Sequence, residues 1–199
     1  MQTEKTLICI PDISGFTRFM SEFDFDLASK VVPSLLNQII YANEIGLKIS
    51  EIEGDAVLFY KNGQLPNIED LMEQCKYFYT EFYKQLEELK QKYANKEGAA
   101  KIPEVLGLKI ILHLGEDIGL VKIGSRIKML GEDVIKAHRF LKNNVDSDEY
   151  ILFSSETIDE YGIDKIYPKV SKEFLVHGVL EDTNFGNMKY TSIEMKHLF

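Results

Sequence analysis

Apolar residues along the chain change their spacing between two periods, and the changes mark the elements. The run 6–11 (TLICIP) is apolar at nearly every position and predicts a buried strand. After Asp12-Ile13-Ser14-Gly15, apolar residues at helical spacing from 16 to about 41 predict one helix or two, with Pro33 marking a start or a kink. Segments 47–52 and 56–60 predict two strands of a hairpin closed through Glu53-Gly54-Asp55. From Asn67 to Tyr93, positions such as Leu71, Cys75, Phe78, Phe82, Leu86 and Leu89 recur every three or four residues, which predicts a long amphipathic helix. Segment 94–104, with Gly98 and Pro103, reads as a loop, and 106–114 with 118–123 as a second strand pair around Gly115-Glu116-Asp117. A helix from 131 to about 144, a short strand at 150–153, a serine-capped helix at 154–161 and a closing strand pair, 174–177 with 188–193, complete the pattern. Tight hairpins interleaved with helices long enough to cover a sheet predict an α+β sandwich with a mostly antiparallel sheet, one domain over residues 1–199.

Composition narrows the function classes. A chain of 199 residues, 45% hydrophobic and 28% charged, buries a sizeable core without disulfide or metal staples. The net charge of −9 argues against a general nucleic-acid binder, whose affinity rests on Lys and Arg neutralising phosphates. No apolar run approaches the ~20 residues that a spanning helix needs, and the start lacks a basic segment followed by a long apolar one. These features predict a cytoplasmic protein that does not enter a membrane. Cys9 and Cys75 sit in apolar contexts that suit reduced core thiols, with a disulfide between them left open. One segment runs against the overall charge: 122–142 carries Lys122, Arg126, Lys128, Lys136, Arg139 and Lys142 against Glu132 and Asp133, a local balance of +4 that leaves −13 elsewhere. Such an island receives a polyphosphate or is a solvated helix face.

Two short stretches carry candidate chemistry. In Asp12-Ile13-Ser14-Gly15-Phe16-Thr17, an acidic residue ends a buried strand just before a helix. A carboxylate there holds a hard cation while free N–H groups at the helix start cradle phosphate, or else Asp12 or Ser14 simply caps the helix. In Glu53-Gly54-Asp55, the aspartate lies at a neighbouring strand end. The two aspartates together suit one or two magnesium ions, although turn chemistry alone also accounts for Gly54-Asp55. Walker-type phosphate loops, H-E-x-x-H, paired C-x-x-C and G-x-S-x-G do not occur. His113, His138, His177 and His197 are scattered, and His113, inside an apolar strand pattern, reads as a packed, hydrogen-bonded core histidine.

Taken in order, Asp12-Ile13-Ser14-Gly15-Phe16-Thr17, Glu51-Ile52-Glu53-Gly54-Asp55, Leu112-His113-Leu114-Gly115-Glu116-Asp117-Ile118-Gly119, and Gly131-Glu132-Asp133-Val134 with Ala137 and Arg139 resemble the signatures of the class III adenylyl and guanylyl cyclase homology domain. The resemblance spans roughly 7–193 and is nearest to short, stand-alone, uncharacterised cyclase-like proteins. It implies a ferredoxin-like α+β fold, a head-to-tail homodimer with shared sites, and a purine nucleoside triphosphate as ligand. By this resemblance Asp12, Asp55 and the Ile13 carbonyl would hold two Mg²⁺ or Mn²⁺ ions. Backbone N–H groups of Gly15, Phe16 and Thr17 would hold the terminal phosphates, and Arg139 of the opposing subunit would stabilise charge on the reacting phosphoryl group. Glu51 falls at a base-reading position, where a carboxylate accepts from guanine N1–H and its exocyclic amine. Lys128 falls at the second such position and would donate to guanine O6, unless the two simply form a salt bridge closing an empty pocket. Two departures stand out. Ile135 replaces the asparagine that would orient the ribose, and no phosphate-binding lysine is evident near the last strands, where His177-Gly178 stands and only Lys172 or Lys189 would substitute. The expectation is a divergent cyclase-like protein that binds nucleotide with metal and turns over slowly, or else a degenerate cyclase fold kept for dimerisation or ligand sensing.

Overall fold

The computed structural model describes residues 4–166 and 171–199. Its centre is β1 (Thr6–Ser14), buried at every position, which is the physical consequence of an apolar run with covered faces on both sides. Then come α1 (Phe16–Glu22) and α2 (Phe25–Tyr41), the hairpin β2 (Lys48–Glu53) and β3 (Ala56–Asn62), and the long α3 (Ile68–Lys92). A short α4 (Ile102–Val105) leads into β4 (Gly107–Gly115), followed by β5 (Gly119–Ile123), β6 (Arg126–Leu130) and α5 (Glu132–Phe140). The chain ends with β7 (Tyr150–Ser154), α6 (Ser155–Tyr161), α7 (Ile163–Ile166), β8 (Val176–Asp182) and β9 (Gly186–Glu194).

Seven strands form one sheet in the order β2-β3-β1-β4-β7-β9-β8. Every neighbouring pair is antiparallel except β4 and β7, which the crossover through α5 makes parallel. The α+β architecture read from the sequence is therefore the observed one. Strand alternation divides the core in two. Leu7, Cys9 and Ile13 of β1 pack with Val31 and Leu35 of α2 and with Phe78, Phe82 and Leu86 of α3. On the opposite face Ile8 and Ile10 pack with Leu58, Ile111 and Leu152 under Val134, Ala137 and Phe140 of α5. The long helix starts where Asn67 accepts from the Asp70 N–H. Pro33 does not start a helix: it lies within α2 on the exposed side, where water can satisfy the carbonyl that loses its partner, and the chain breaks between α1 and α2.

The predicted pairing of 106–114 with 118–123 does not form. Strand β4 lies between β1 and β7, whereas β5 pairs with β6 in a separate two-stranded ribbon. The reason is burial: apart from Lys109, every residue of β4 is buried, so both its neighbours must be core strands, while β5 is exposed along its length. Helix α5 also ends at Phe140 rather than near 144, and β8 runs from Val176 to Asp182, longer than the predicted 174–177. Cys9 and Cys75 are free and buried, and burial pushes the Cys75 thiol up to about 12. No helix among the described residues is long and apolar enough to cross a membrane.

Candidate functional site

Alternation along β1 turns Asp12 to the same face as Ile8 and Ile10, the face that α5 covers. Asp12 stands opposite Ala56 of β3 and opposite Lys109 of β4. The Ile13 N–H donates to the Asp55 carbonyl at 3.0 Å, which stitches the β2–β3 turn to β1 and makes the two aspartates neighbours. Asp12 is only 7% exposed. Its Oδ2 lies 3.5 Å from the Lys109 Nζ, while its Oδ1 is buried with no hydrogen-bond partner. Burial pushes the Asp12 carboxyl up to about 6, with Lys109 opposing the rise and the Asp55 charge adding to it. Burial raises Asp55 as well.

A buried carboxylate oxygen without a partner is costly, and a second carboxylate beside it adds repulsion. Both costs vanish when a hard divalent cation, which takes carboxylate oxygens, lies between the two groups. The donor set at Asp12 and Asp55 thus fits Mg²⁺ or Mn²⁺. The Ile13 side chain belongs to the opposite core, leaving its backbone as the only part able to serve the site.

Neither Asp12 nor Ser14 caps α1. Gly15 is the N-cap residue, at φ 75° and with no side-chain bond to the helix, and the Ser14 hydroxyl is itself buried without a partner. A Cβ at Gly15 would come within 1.9 Å of the Val105 carbonyl oxygen, so this glycine is demanded by close packing of α1 on α4 as well as by its left-handed backbone. Phe16 is half-buried and Thr17 exposed.

The other sequence-identified residues fall into separate groups. Lys128 Nζ on β6 meets Glu51 Oε2 on β2 at 2.6 Å, the salt bridge that the sequence left open as an alternative to base reading. Nearby, His138 Nδ1 lies 3.4 Å from Glu53 Oε2, and Glu51, Glu53 and His138 offer ligand atoms within 4.8 Å of one another on a largely open surface. Arg139 is not joined to Asp12 or Asp55 by any ion pair among the described residues. Its Nε lies 3.2 Å from Asp182 Oδ2 at the end of β8. Ile135 is exposed on α5.

Lys109 and Asp182 were not singled out from the sequence. For Lys109 a signal existed: it is the one charged side chain in the otherwise apolar Gly107-Leu108-Lys109-Ile110-Ile111-Leu112 run. A lysine there must meet a counter-charge or disrupt the sheet. For Asp182, in a polar turn region, there was none.

His113 is the packed core histidine expected. Its Nδ1 is 2.9 Å from Ser154 Oγ and its Nε2 is 3.5 Å from Asp133 Oδ1. The order of side chains resembles a nucleophilic triad, but Ser154 and His113 are fully buried and the Ser154 oxygen accepts from the Thr157 N–H as the cap of α6. Asp133 accepts in turn from the Glu116 and Asp117 N–H groups at 2.9 Å each. The His113 imidazole, with the Asp117 N–H and Lys136 ammonium, holds Asp133 well below the usual carboxylate range. This network ties α5, β4 and α6 together. A cleft of about 430 Å³ beside it, lined by Lys5, Glu116, Asp133, Lys136 and Glu156, lies at the far end of β4 from Lys109.

Comparison with solved structures places the fold among nucleotidyl cyclase domains. The adenylyl cyclase CyaB from P. aeruginosa is 17% identical with a TM-score of 0.65, over 96% of this chain and 93% of that one. The guanylyl cyclase Cya2 is 17% identical with a TM-score of 0.68, over 97% and 94%. The guanylate cyclase domain of RhGC from Catenaria anguillulae, in complex with GTP, is 18% identical with a TM-score of 0.60, over 96% of both. Among curated proteins, the uncharacterized protein Rv2561/Rv2562 of Mycobacterium tuberculosis (strain ATCC 25618 / H37Rv) is 27% identical over 129 residues, 63% of this chain. The chain spans 59% of the length of that relative. A family model matches residues 32–150, a stretch that contains Glu51, Asp55, Lys109, Lys128 and Arg139 but not Asp12. The chain thus has the class III cyclase fold and belongs to the family described as "Protein of unknown function (DUF2652)".

Proposed function

We propose that this chain is a divergent nucleotidyl cyclase-like protein that binds a purine nucleoside triphosphate through a divalent cation at Asp12 and Asp55, and converts it slowly to a 3′,5′-cyclic nucleotide and pyrophosphate. The observation that carries this reading is the unpartnered, buried Oδ1 of Asp12 beside Asp55. Mg²⁺ or Mn²⁺, when bound, supplies charge to neutralise the triphosphate and acidify the ribose 3′-hydroxyl. In that reaction the 3′-oxygen bonds to the α-phosphorus as the bond to pyrophosphate breaks, and the hydroxyl proton leaves to solvent. The residues of this chain bind and orient. The start of α1 at Gly15, Phe16 and Thr17 has backbone N–H groups that no side chain caps, and these would hold the terminal phosphates.

Glu51 and Lys128 present an acceptor and a donor side by side, the complement of guanine's N1–H, exocyclic amine and O6. Guanine is therefore the preferred base. Arg139, held by Asp182 within one chain, is contributed across a homodimer to the site of the other subunit, and no single chain completes a site. Ile135 cannot hydrogen-bond the ribose, so turnover is slower than in a cyclase with a polar residue there, by about a hundredfold or more. The Glu51–Lys128 bridge supports a second reading, a cyclase-fold module that dimerises or senses a ligand without turnover.

Calorimetric titration with non-hydrolysable GTP and ATP analogues in Mn²⁺ separates these readings. The GTP analogue should bind about tenfold or more tightly than the ATP analogue, given charged hydrogen bonds at the base. Binding should vanish in chelator and weaken about a hundredfold in Asp12→Ala. Binding indifferent to both metal and Asp12, or no binding at all, would defeat the proposal.

A further inference from the structure

We infer that Glu51 and Glu53 of β2 and His138 of α5 form a binding site for a borderline transition-metal cation, Zn²⁺ in the first place, separate from the Asp12–Asp55 pair and different from it in chemistry. Register places the two glutamates. Glu51 stands opposite Leu58 and Glu53 opposite Ala56 in the β2–β3 pairing, and Leu58 and Ala56 both belong to the core that α5 covers. Residues two apart on a strand share a face, so both carboxylates stand on the α5 side of the sheet edge. Helix α5 brings His138 to them from its last turn, next to the buried Ala137. The His138 Nδ1 lies 3.4 Å from Glu53 Oε2, and the three side chains each offer a ligand atom within 4.8 Å of the other two. Among the described residues no other group of three such side chains comes together this closely.

The donor set decides which ion. Asp12 and Asp55 present oxygen alone, which suits Mg²⁺ or Mn²⁺. An imidazole nitrogen with two carboxylate oxygens suits Zn²⁺ and its neighbours in the series, which bind such a set more tightly than Mn²⁺ does. Three protein ligands and a water in the fourth position complete a tetrahedral shell around Zn²⁺. The contacts already present do not stand in its way. At 3.4 Å the His138–Glu53 contact is longer than a good hydrogen bond, so coordination replaces little. Lys128 meets Glu51 through Oε2, and a carboxylate that keeps such a contact can ligate through its other oxygen. The last turn of α5 adds to the attraction, because a helix C-terminus carries partial negative charge that favours a cation. Once bound, the ion ties the edge strand β2 to α5. Glu51 is also the carboxylate proposed above to read guanine, so on that reading ion and base would compete for it.

Calorimetric titration of the full chain with Zn²⁺, in an excess of Mg²⁺ so that any all-oxygen site is already filled, tests the assignment. The wild type is compared with His138→Ala, Glu53→Gln, Asp12→Ala and His177→Ala. One Zn²⁺ per chain is expected in the wild type, and the same in Asp12→Ala and His177→Ala, whose substitutions leave the three ligands in place. Affinity should fall at least about tenfold in His138→Ala and in Glu53→Gln, each of which removes a ligand rather than an outer partner. Saturating Zn²⁺ should also raise the melting temperature of the wild type and not that of His138→Ala, because an ion that binds only the folded chain stabilises it. Circular dichroism identifies any variant that fails to fold, and His138→Gln then replaces His138→Ala. Zn²⁺ held as tightly by His138→Ala as by the wild type, or lost in Asp12→Ala, would overturn the inference, as would a folded wild type that binds no Zn²⁺. The nucleotide reading stands or falls separately, on the Mn²⁺ and GTP-analogue titrations.

Discussion

Asp12 and Asp133 are the buried carboxylates among the described residues, and their surroundings act on them in opposite directions. Asp133 receives N–H groups and a lysine, so its charge is favoured in the fold and its contribution is lost only in acid. Asp12 has only Lys109 to set against its burial and is raised from 3.8 to about 6. Between about pH 4 and 6 the folded chain therefore holds a proton that the unfolded chain has released, and stability falls as pH rises through that window. A shift of that size corresponds to about 3 kcal/mol. Asp12→Asn removes the charge but leaves Lys109 without its partner, so the net gain should be about 1–2 kcal/mol above pH 6 in chelator. Urea unfolding at pH 8 and pH 4 checks this: the gain should be present at pH 8 and absent at pH 4. Asp133→Asn should show the reverse sign, a loss at pH 8. The two aspartates Asp12 and Asp55 could be picked out because each lies in a short motif with a glycine turn, although Asp12 stands inside β1, two residues before its end, and Asp55 in the turn itself. Lys109 required the β1–β4 register, which depends on contacts roughly a hundred residues apart that local periodicity does not carry.

At the scale of elements, periodicity located the long α3 to within a residue at each end, because Asn67 caps its start and its apolar stripe is unbroken. It misplaced the partner of β4. A strand apolar on both sides does not announce which strands flank it, and β6, with exposed Ile127 and Leu130, lacks the alternation that marks a half-buried strand. What diverts the chain after β4 is Asp133, whose carboxylate satisfies the Glu116 and Asp117 N–H groups in place of a hairpin partner. Gly115 makes room for it: a Cβ there would lie 2.3 Å from the Asp133 carboxylate. Gly115→Ala must push Asp133 aside and strand those N–H groups, which should cost about 2–4 kcal/mol in denaturant unfolding. A cost below about 0.5 kcal/mol, the level of a neutral surface change, would show that the α5 anchor is not what fixes this turn.

For the whole molecule, the question is what covers the β5–β6 ribbon. It stands outside the seven-stranded sheet and is attached through the buried Met129 and the Lys128–Glu51 bridge, while Val121, Ile123, Ile127 and Leu130 remain open to water. A two-stranded ribbon alone is marginally stable, and exposed apolar surface of this kind marks an interaction site. The shared-site proposal supplies the partner: a second copy would bury this surface while bringing its Arg139 to the Asp12–Asp55 pair. Sedimentation velocity at micromolar concentration should then show a species of twice the chain mass, more populated with Mn²⁺ and the GTP analogue because the ligand bridges both subunits. Ile127→Asp with Leu130→Asp should leave a folded monomer, since both side chains already face water and their replacement disturbs no core. That monomer should bind the analogue at least about tenfold more weakly, having lost the contacts a second subunit provides. If the wild type stays monomeric with ligand, or if the charged variant binds as well as the wild type, then each chain completes its own site. Arg139 would then serve Asp182 as a brace between α5 and β8.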